Sequence, residues 1–476
     1  MFRLSQFMKE VVAPTPAATA TATLAAATAT PAATVTPAAA AKPTPAATAM
    51  PTPPPASTPI SAAMPASPSA ATPPPVMQQV AALADDRSRL QPAPARPGPV
   101  VIWNLIRRCN LKCKHCYSIS ADVDFPGELS REEIFQVMDD LKDFHVPVLI
   151  LSGGEPLLRP DIFDISARAK AMGFYVGLSS NGALITEQNI GDIAAIGYDY
   201  LGVSLDGIGA VNDEFRGKKG AFDAALNGIR LARDKGIKVG LRFTATMDNI
   251  HQLPDMLALM QRENIDKFYL SHLSYAGRGN KNRQTDAQHA STRAMMELMF
   301  KAAYEDALNG GGREFVTGNN DADGVYLLLW VKCNFPERYE QTRAKLLQWG
   351  GNATGVNIAN IDNLGDVHPD TMWWHYKLGN VKARKFGDIW MDTSDPIMAG
   401  LKAKPRRIGG RCGACKYFDI CGGNTRVRAM QLTGDPWAED PACYLSDAEI
   451  GLDEARPRLQ VTPFRGAKHA AAAEYR

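Results

Sequence analysis

The chain has 476 residues, 45% of them hydrophobic, which is enough for two folded units with a sizeable core. Its 52 basic and 50 acidic residues leave a formal charge of +2, which gives no reason to expect nucleic acid or a membrane surface as a partner. No apolar run approaches the roughly 20 residues of a membrane-spanning helix, and the opening residues lack the apolar core of a signal peptide. We therefore expect a cytoplasmic protein with neither nucleic-acid nor membrane partners.

A low-complexity segment dominates the first 96 residues. From Val11 to Ala84 the chain consists mainly of Ala, Thr, Pro and Ser, with Lys42 as its single charge. Such a segment cannot bury enough apolar side chain to offset the entropy of ordering it. We predict that residues 1–96 form a disordered tail without a catalytic role. An alanine-rich helix is the alternative, but the recurrent prolines interrupt it.

From residue 97, short apolar runs alternate with longer amphipathic stretches, a pattern typical of an α/β fold. One such stretch, residues 130–144, opens with Ser130 and Glu133 in the spacing of a capping box. Strands are predicted for six runs: residues 100–106, 147–151, 174–178, 200–205, 237–244 and 267–273.

Six strands, each followed by a helix, are too few for a full eight-stranded barrel. We predict a partial (β/α)6 TIM-type barrel over residues 97–310, with its chemistry at the C-terminal ends of the strands. Residues 311–476 have an irregular pattern and are predicted to form a small C-terminal domain.

Three of the eight cysteines, Cys109, Cys113 and Cys116, lie within "IRRCNLKCKHCYS", directly after the first predicted strand. Thiolates in this C-x3-C-x2-C spacing can each hold one corner of an iron–sulfur cubane, whereas a closed zinc site needs a fourth ligand. A cluster with three protein ligands leaves one iron open to another molecule. Four basic residues, which either offset the charge of a cluster or form a solvated loop, flank these cysteines: Arg107, Arg108, Lys112 and Lys114.

The second predicted strand leads into "LSGGEPLL", residues 151–158. Gly153 and Gly154 allow close backbone approach to a ligand, and Glu155 can accept a hydrogen bond from a ligand amine or tie the loop down. The cysteine motif after the first strand, with "GGEP" after the second, resembles the radical S-adenosylmethionine (SAM) superfamily. The resemblance implies that SAM binds the open iron of a [4Fe–4S] cluster and is cleaved to a 5′-deoxyadenosyl radical.

Motifs after the next three strands extend this resemblance: "SSNG" (179–182), "VSLDG" (203–207) and "GLRFT" (240–244). The first two motifs match positions that contact the ribose and methionine parts of SAM. Arg242 of the third motif can pair with the SAM carboxylate. His115 of the cysteine loop matches a position that lies beside the adenine in the family. An ordinary Asn-Gly turn, a helix cap and an exposed loop residue are the alternative interpretations. The additional cofactor-binding candidates are His115, Ser179, Asn181, Ser204, Asp206 and Arg242.

A second cysteine set has the pattern C-x2-C-x5-C and then a further cysteine: Cys412, Cys415, Cys421 and Cys443. Four thiolates can close a zinc site, which the spacing alone modestly favours, or hold a cluster. Beside the radical SAM motifs, the set resembles a SPASM or Twitch domain, which implies one auxiliary [4Fe–4S] cluster. Asp370 and Thr425 stand where the full SPASM pattern has cysteines, so a second auxiliary cluster is not expected. Cys333 is predicted to be a buried free thiol or, alternatively, a displaced ligand.

Three longer segments, residues 99–130, 313–330 and 412–445, closely resemble the radical SAM proteins of haem d1 biosynthesis. The likeness covers residues 97–445 and the opening "MFRLSQFMKE". It implies removal of two propionate side chains from didecarboxylated sirohaem, an iron-containing tetrapyrrole. The implied partners are this substrate and an electron donor such as ferredoxin or flavodoxin.

An anionic, planar macrocycle needs cations and aromatic faces near the mouth of the barrel. Two segments supply candidates: His272, Tyr275, Arg278, Lys281, Arg283, His368, Trp373, Trp374 and His375. Exposed loop charge and aromatic core are the alternative interpretations of these residues. Two other functions also stay open, a peptide-modifying radical SAM enzyme of the SPASM type and a non-catalytic iron–sulfur electron carrier. The carrier leaves "GGEP" unexplained.

Overall fold

One eleven-stranded sheet runs through the fold, in the strand order β1-β8-β7-β6-β5-β4-β3-β2-β9-β10-β11. The computed structural model describes residues 1–13 and 98–452, so most of the predicted tail lies outside the described residues. The strands are β1 Phe2–Arg3, β2 Val100–Asn104, β3 Val148–Ser152, β4 Tyr175–Ser180, β5 Tyr200–Ser204, β6 Val239–Ala245, β7 Lys267–His272, β8 Glu314–Gly318, β9 Ile358–Ile361, β10 Asp366–His368 and β11 Gly379–Asn380.

The α/β fold predicted from the alternating pattern is confirmed, and the six predicted strands correspond to β2–β7. They pair in parallel with their chain neighbours, and their apolar side chains, such as Trp103 and Phe268, are completely buried. The parallel part of the sheet is larger than predicted, because β8 pairs with β7 on one side and β9 with β2 on the other. Both added strands lie beyond residue 310, the end of the predicted barrel. The predicted domain boundary at residue 310 stays a prediction.

Helices cover the sheet, and the capping box predicted at Ser130 and Glu133 is present at the start of Arg131–Asp143. Within the described residues no helix is long and apolar enough to cross a membrane. The α-helices are Leu4–Val12, Arg131–Asp143, Ile162–Ala171, Ile190–Ile196, Ala210–Arg216, Ala221–Asp234, Leu253–Arg262, Gly277–Lys281, His289–Leu308, Ala322–Asn334, Tyr339–Trp349, Phe386–Met391, Pro396–Lys402, Gly410–Gly413, Phe418–Cys421, Arg426–Thr433 and Asp447–Ile450.

The opening residues are part of the core, so the prediction of a disordered tail starting at residue 1 is wrong there. Strand β1 adds to the edge of the sheet antiparallel to β8, and helix Leu4–Val12 packs against helix His289–Leu308. The physical reason is the spacing of Leu4, Phe7 and Met8, which puts three buried apolar side chains on one face of the helix. Residues 14–96 of the predicted tail lie outside the described residues.

Truncating Phe7 should destabilise the whole fold. Its buried ring lies 5.0 Å from that of Phe2, between the sheet edge and the helices. We expect Phe7→Ala to lower the free energy of unfolding by about 3 kcal/mol, because it removes apolar contacts and leaves a cavity. Urea unfolding followed by tryptophan fluorescence measures this loss. The exposed neighbour Gln6 provides the control, and equal stability of Phe7→Ala and Gln6→Ala would show that this helix is not part of the core.

Candidate functional site

The main cavity opens at the C-terminal ends of the parallel strands, where loop residues of an α/β sheet meet. Ser152 ends β3, Ser204 ends β5 and His272 ends β7, and all three line this cavity. The edge of the sheet predicted to carry the chemistry is therefore the edge that contains the cavity.

The three thiols of the first cysteine motif line one wall of this cavity. Burial raises the pKa of Cys109 to about 12 and that of Cys113 to about 11. Burial also opposes ionisation of Cys116, but the charge of Arg278 and the hydroxyl of Ser118 outweigh it and lower the pKa of this thiol. The backbone N–H of Leu111 donates to Cys109 Sγ at 3.4 Å, a contact that stabilises a sulfur carrying negative charge.

Positive charge reaches the thiols from distant parts of the chain. Arg216 lies 3.7 Å from Cys113 Sγ, and Arg278 donates to the carbonyl oxygens of Cys113 and Ser120 at 2.7 and 2.8 Å. The basic residues beside the motif do not line the cavity; Arg108, for example, pairs with exposed carboxylates. The alternative interpretation, a solvated loop, therefore fits Arg108 better, and the cations closest to the thiols are Arg216 and Arg278. Sequence gives no signal for Arg216, which is about one hundred residues away.

The "GGEP" segment is hydrogen-bonded to the residues that lead into the cysteine loop. Gly154 N–H donates to the carbonyl oxygen of Ile106 at 2.6 Å, and Glu155 N–H donates to that of Arg108 at 2.8 Å. A Cβ atom on Gly154 would lie 2.2 Å from the Arg108 oxygen. Gly153 and Gly154 line the cavity as predicted, but the close backbone approach that requires glycine is to this neighbouring chain segment.

Adding a methyl group at Gly154 should therefore displace the cysteine loop. On the resemblance to radical SAM enzymes, we expect Gly154→Ala to contain less iron after reconstitution and to cleave SAM about a hundredfold more slowly, because small displacements of reacting groups are costly. Iron analysis and 5′-deoxyadenosine production measure the two effects. Gly191→Ala is the matched control, since a Cβ atom there meets nothing within 4 Å. Unchanged iron content in Gly154→Ala would contradict this role of the segment.

Five further predicted cofactor-binding residues line the same cavity: His115, Ser179, Asn181, Ser204 and Arg242. The Arg242 guanidinium donates to the hydroxyl of Ser179 and lies 5.5 Å from the ring centre of Tyr269. The side-chain amide of Asn181 donates to Asn110 on the cysteine loop at 2.8 Å. The cavity thus brings together residues of three strands, β4, β5 and β6, or the loops that follow them, with the cysteine motif.

Two predicted cofactor contacts, Glu155 and Asp206, are completely buried and do not line the cavity. Glu155 accepts hydrogen bonds from the Ser180 hydroxyl and the Asn181 N–H, both at 2.8 Å, so it ties two loops together. Burial raises its pKa to about 7. Asp206 forms a 2.5 Å ion pair with Arg216 and therefore positions the arginine beside Cys113. Direct contact between these carboxylates and the cofactor is not supported, because protein donors already occupy them.

Of the nine residues proposed for a tetrapyrrole, only His272 and Arg278 line the cavity. Trp373 is completely buried and stacks near His375, so the aromatic-core interpretation holds for it. Tyr117, next to Cys116, also lines the cavity and was not singled out from the sequence. Asp370 and Thr425, the positions without cysteine, line this cavity as well.

The second set of cysteines surrounds a smaller cavity, lined by the four thiols of Cys412, Cys415, Cys421 and Cys443. Backbone N–H groups donate to three of these sulfurs at 3.3 to 3.5 Å. Among the described residues, no three His, Cys, Asp or Glu side chains form a group that could hold a single metal ion. Cys333 is exposed and lines neither cavity, so the prediction that it is buried is wrong; it lies near the polar end of helix Ala322–Asn334.

Comparison with known proteins agrees with this arrangement. Residues 103–260 match the radical SAM superfamily. The pre-heme d1 synthase of Dinoroseobacter shibae is 56% identical to the chain over 375 residues, which are 78% of this chain and 93% of that protein. The chain belongs to the radical SAM superfamily. Enzymes of this superfamily use SAM and a [4Fe–4S] cluster, so the protein is a radical SAM enzyme.

Another relative of this radical SAM enzyme is the Fe-coproporphyrin III synthase of Methanosarcina barkeri, 43% identical over 75% of this chain and 90% of that protein. Among solved structures, Streptococcus suis SuiB bound to S-adenosylmethionine has a TM-score of 0.58. That match has 18% sequence identity and covers 78% of this chain and 83% of SuiB. This structural likeness concerns the fold.

The residues of the main cavity fit a SAM-binding cluster. The donor set is three thiols, which leaves one corner of a cubane for SAM. Two buried guanidinium nitrogens beside them, Nε of Arg216 and Nη2 of Arg278, have no hydrogen-bond partner among the described residues. Buried donors without partners match the sulfurs of a negatively charged cluster.

Proposed function

We propose that this radical SAM enzyme acts in haem d1 biosynthesis and removes propionate side chains from didecarboxylated sirohaem. The observation that carries the proposal is the 56% identity to a pre-heme d1 synthase along 93% of that protein. The name of the Fe-coproporphyrin III synthase relative points to the same class of substrate, an iron tetrapyrrole.

The chain's own residues divide the work at the main cavity. Cys109, Cys113 and Cys116 hold the cluster, and the Arg216 and Arg278 side chains fix their loop and offset its charge. A reduced cluster held there would supply the electron that cleaves SAM, and with it the 5′-deoxyadenosyl radical needed to take a hydrogen atom from the substrate.

Binding of SAM itself falls to the residues at the strand ends. Arg242, held by Ser179, binds the SAM carboxylate, and His115, Asn181 and Ser204 form the surrounding wall. Gly153 and Gly154 keep the cysteine loop in register with this wall. Together these contacts position the reactive carbon against the substrate and exclude water.

The second cysteine set holds one auxiliary [4Fe–4S] cluster in this proposal. The N–H donors to its sulfurs support a charged cluster there. Electrons enter from a ferredoxin or flavodoxin in the cytoplasm, and the reaction involves no nucleic acid or membrane.

An anaerobic assay with reconstituted protein, SAM and dithionite tests the proposal. We expect 5′-deoxyadenosine together with loss of one or two propionate side chains from didecarboxylated sirohaem, both measured by mass spectrometry. Fe-coproporphyrin III serves as the matched alternative macrocycle and should remain unchanged. Formation of 5′-deoxyadenosine with both macrocycles intact would overturn the substrate assignment and favour a peptide substrate.

The remaining candidate, an electron carrier without catalysis, is not favoured by any residue of the main cavity. It requires neither the open cluster corner nor the Arg242 and Ser179 pair beside it. Membership of the radical SAM superfamily favours an enzyme over an electron carrier.

A further inference from the structure

A buried histidine with a carboxylate partner lines the main cavity. His272, the last residue of β7, lines the cavity and is 5% exposed. Its Nε2 atom lies 3.0 Å from Oδ2 of Asp323, a completely buried residue of helix Ala322–Asn334. The mechanism outlined above assigns no task to this pair.

The surroundings of Asp323 determine which nitrogen of His272 carries the proton. The hydroxyl of Tyr444 donates to the other carboxylate oxygen at 2.7 Å, and its ring stacks 6.3 Å from that of His272. A carboxylate that accepts on both oxygens draws the imidazole proton to Nε2. Nδ1 is then left with a free lone pair.

No group of the described residues occupies that lone pair. Nδ1 of His272 has no hydrogen-bond partner among the described residues. Unlike Nδ1 of His115, which also lacks a partner, it is not fully enclosed by protein. Asp323 and Tyr444 do not line the cavity, so the Nε2 side of the His272 ring points into the protein core.

Among the histidines of the described part of the chain, only His115 and His272 line this cavity. His115 stands between two cysteines of the motif, and its enclosed Nδ1 lies 3.8 Å from Asp206. His272 is therefore the histidine available to a substrate.

Resting on the proposed function, we propose that His272 is a ligand of the iron in the tetrapyrrole substrate, with Asp323 as its positioning residue. A neutral imidazole whose other nitrogen donates to a carboxylate is the usual form of a metal-binding histidine. The unprotonated Nδ1 of His272 repels the carboxylates of the macrocycle. Its lone pair can instead bind the iron of the macrocycle. Because Nδ1 adjoins the carbon that bears Cβ, the bond is hindered and favours five-coordinate, high-spin iron.

Binding without turnover tests the inference. The cluster-loaded, full-length protein is titrated anaerobically with didecarboxylated sirohaem in the absence of SAM and reductant, and the absorption and EPR spectra of the macrocycle are recorded. We expect His272→Gln, which can still donate to Asp323 but cannot bind iron well, to lose the wild-type spectrum and about tenfold in affinity. Added 2-methylimidazole, which like Nδ1 of His272 has a substituted carbon beside its binding nitrogen, should restore the spectrum in His272→Ala. His375→Ala, outside the cavity, should match the wild type.

An iron-free form of the same macrocycle separates iron binding from other contacts. We expect wild type and His272→Gln to bind it equally, and Asp323→Asn to weaken only the iron-containing form. Equal losses with both macrocycles, or an unchanged iron spectrum in His272→Gln, would overturn the inference and leave the proposed function standing. If the wild type binds neither macrocycle, the proposed function and the inference both fail.

Discussion

A Cys113→Ala variant should produce no 5′-deoxyadenosine from SAM. Cys113 is the central thiol of the motif, is buried, and lies 3.7 Å from Arg216. No cysteine outside the motif lines this cavity, so no other thiol is placed to replace it. Two remaining thiols cannot hold a cluster with one open iron. The measurement is anaerobic incubation with SAM and dithionite, followed by mass spectrometry of the nucleoside.

The exposed Cys333 provides a matched control, since Cys333→Ala removes a cysteine that lines neither cavity. This variant should cleave SAM at the wild-type rate. A Cys113→Ala variant that still forms 5′-deoxyadenosine would contradict the assignment of the first cysteine motif.

Loss of Cys412 should remove the second cluster and leave the first. Cys412 is the buried thiol of the second set and accepts from the N–H of Asp440 at 3.5 Å. We expect Cys412→Ala to lose about four irons of about eight per chain, because the two cysteine sets line separate cavities. SAM cleavage should persist, while loss of propionate from the macrocycle should fall sharply.

Iron and zinc analysis of the same variant discriminates between the two possible occupants of this site. A wild-type protein with one zinc and about four irons, and a Cys412→Ala variant without zinc, would contradict the auxiliary cluster and restore the zinc interpretation. Cys333→Ala again serves as the control for nonspecific loss of metal.

Local sequence patterns predicted the parts of the fold that depend on neighbouring residues. The strands β2–β7 follow from short apolar runs, and the helix after Ser130 follows from its capping box. The cysteine motif and "GGEP" follow consecutive strands, and parallel strands bring their C-terminal ends to one edge. Their meeting at one cavity was therefore predictable.

Features that depend on long-range contacts were not predictable in this way. Arg216 reaches Cys113 only because Asp206 pairs with it, and no pattern near either residue indicates that contact. Helix Leu4–Val12 was assigned to the tail because the low-complexity segment begins at Val11, within the last turn of the helix. The sequence left two roles for Glu155, accepting from a ligand amine or tying the loop down, because a carboxylate beside two glycines is compatible with both. Its hydrogen bond from the Asn181 N–H supports the second role.

The transfer of hydrogen from the substrate to SAM tests the central claim most directly. Didecarboxylated sirohaem with deuterium in its propionate side chains is incubated with the cluster-loaded protein, SAM and dithionite, and the 5′-deoxyadenosine is analysed by mass spectrometry. We predict deuterium in the nucleoside and loss of propionate from the macrocycle. 5′-Deoxyadenosine without deuterium, formed while the macrocycle stays intact, would contradict a radical reaction at the propionates of a tetrapyrrole.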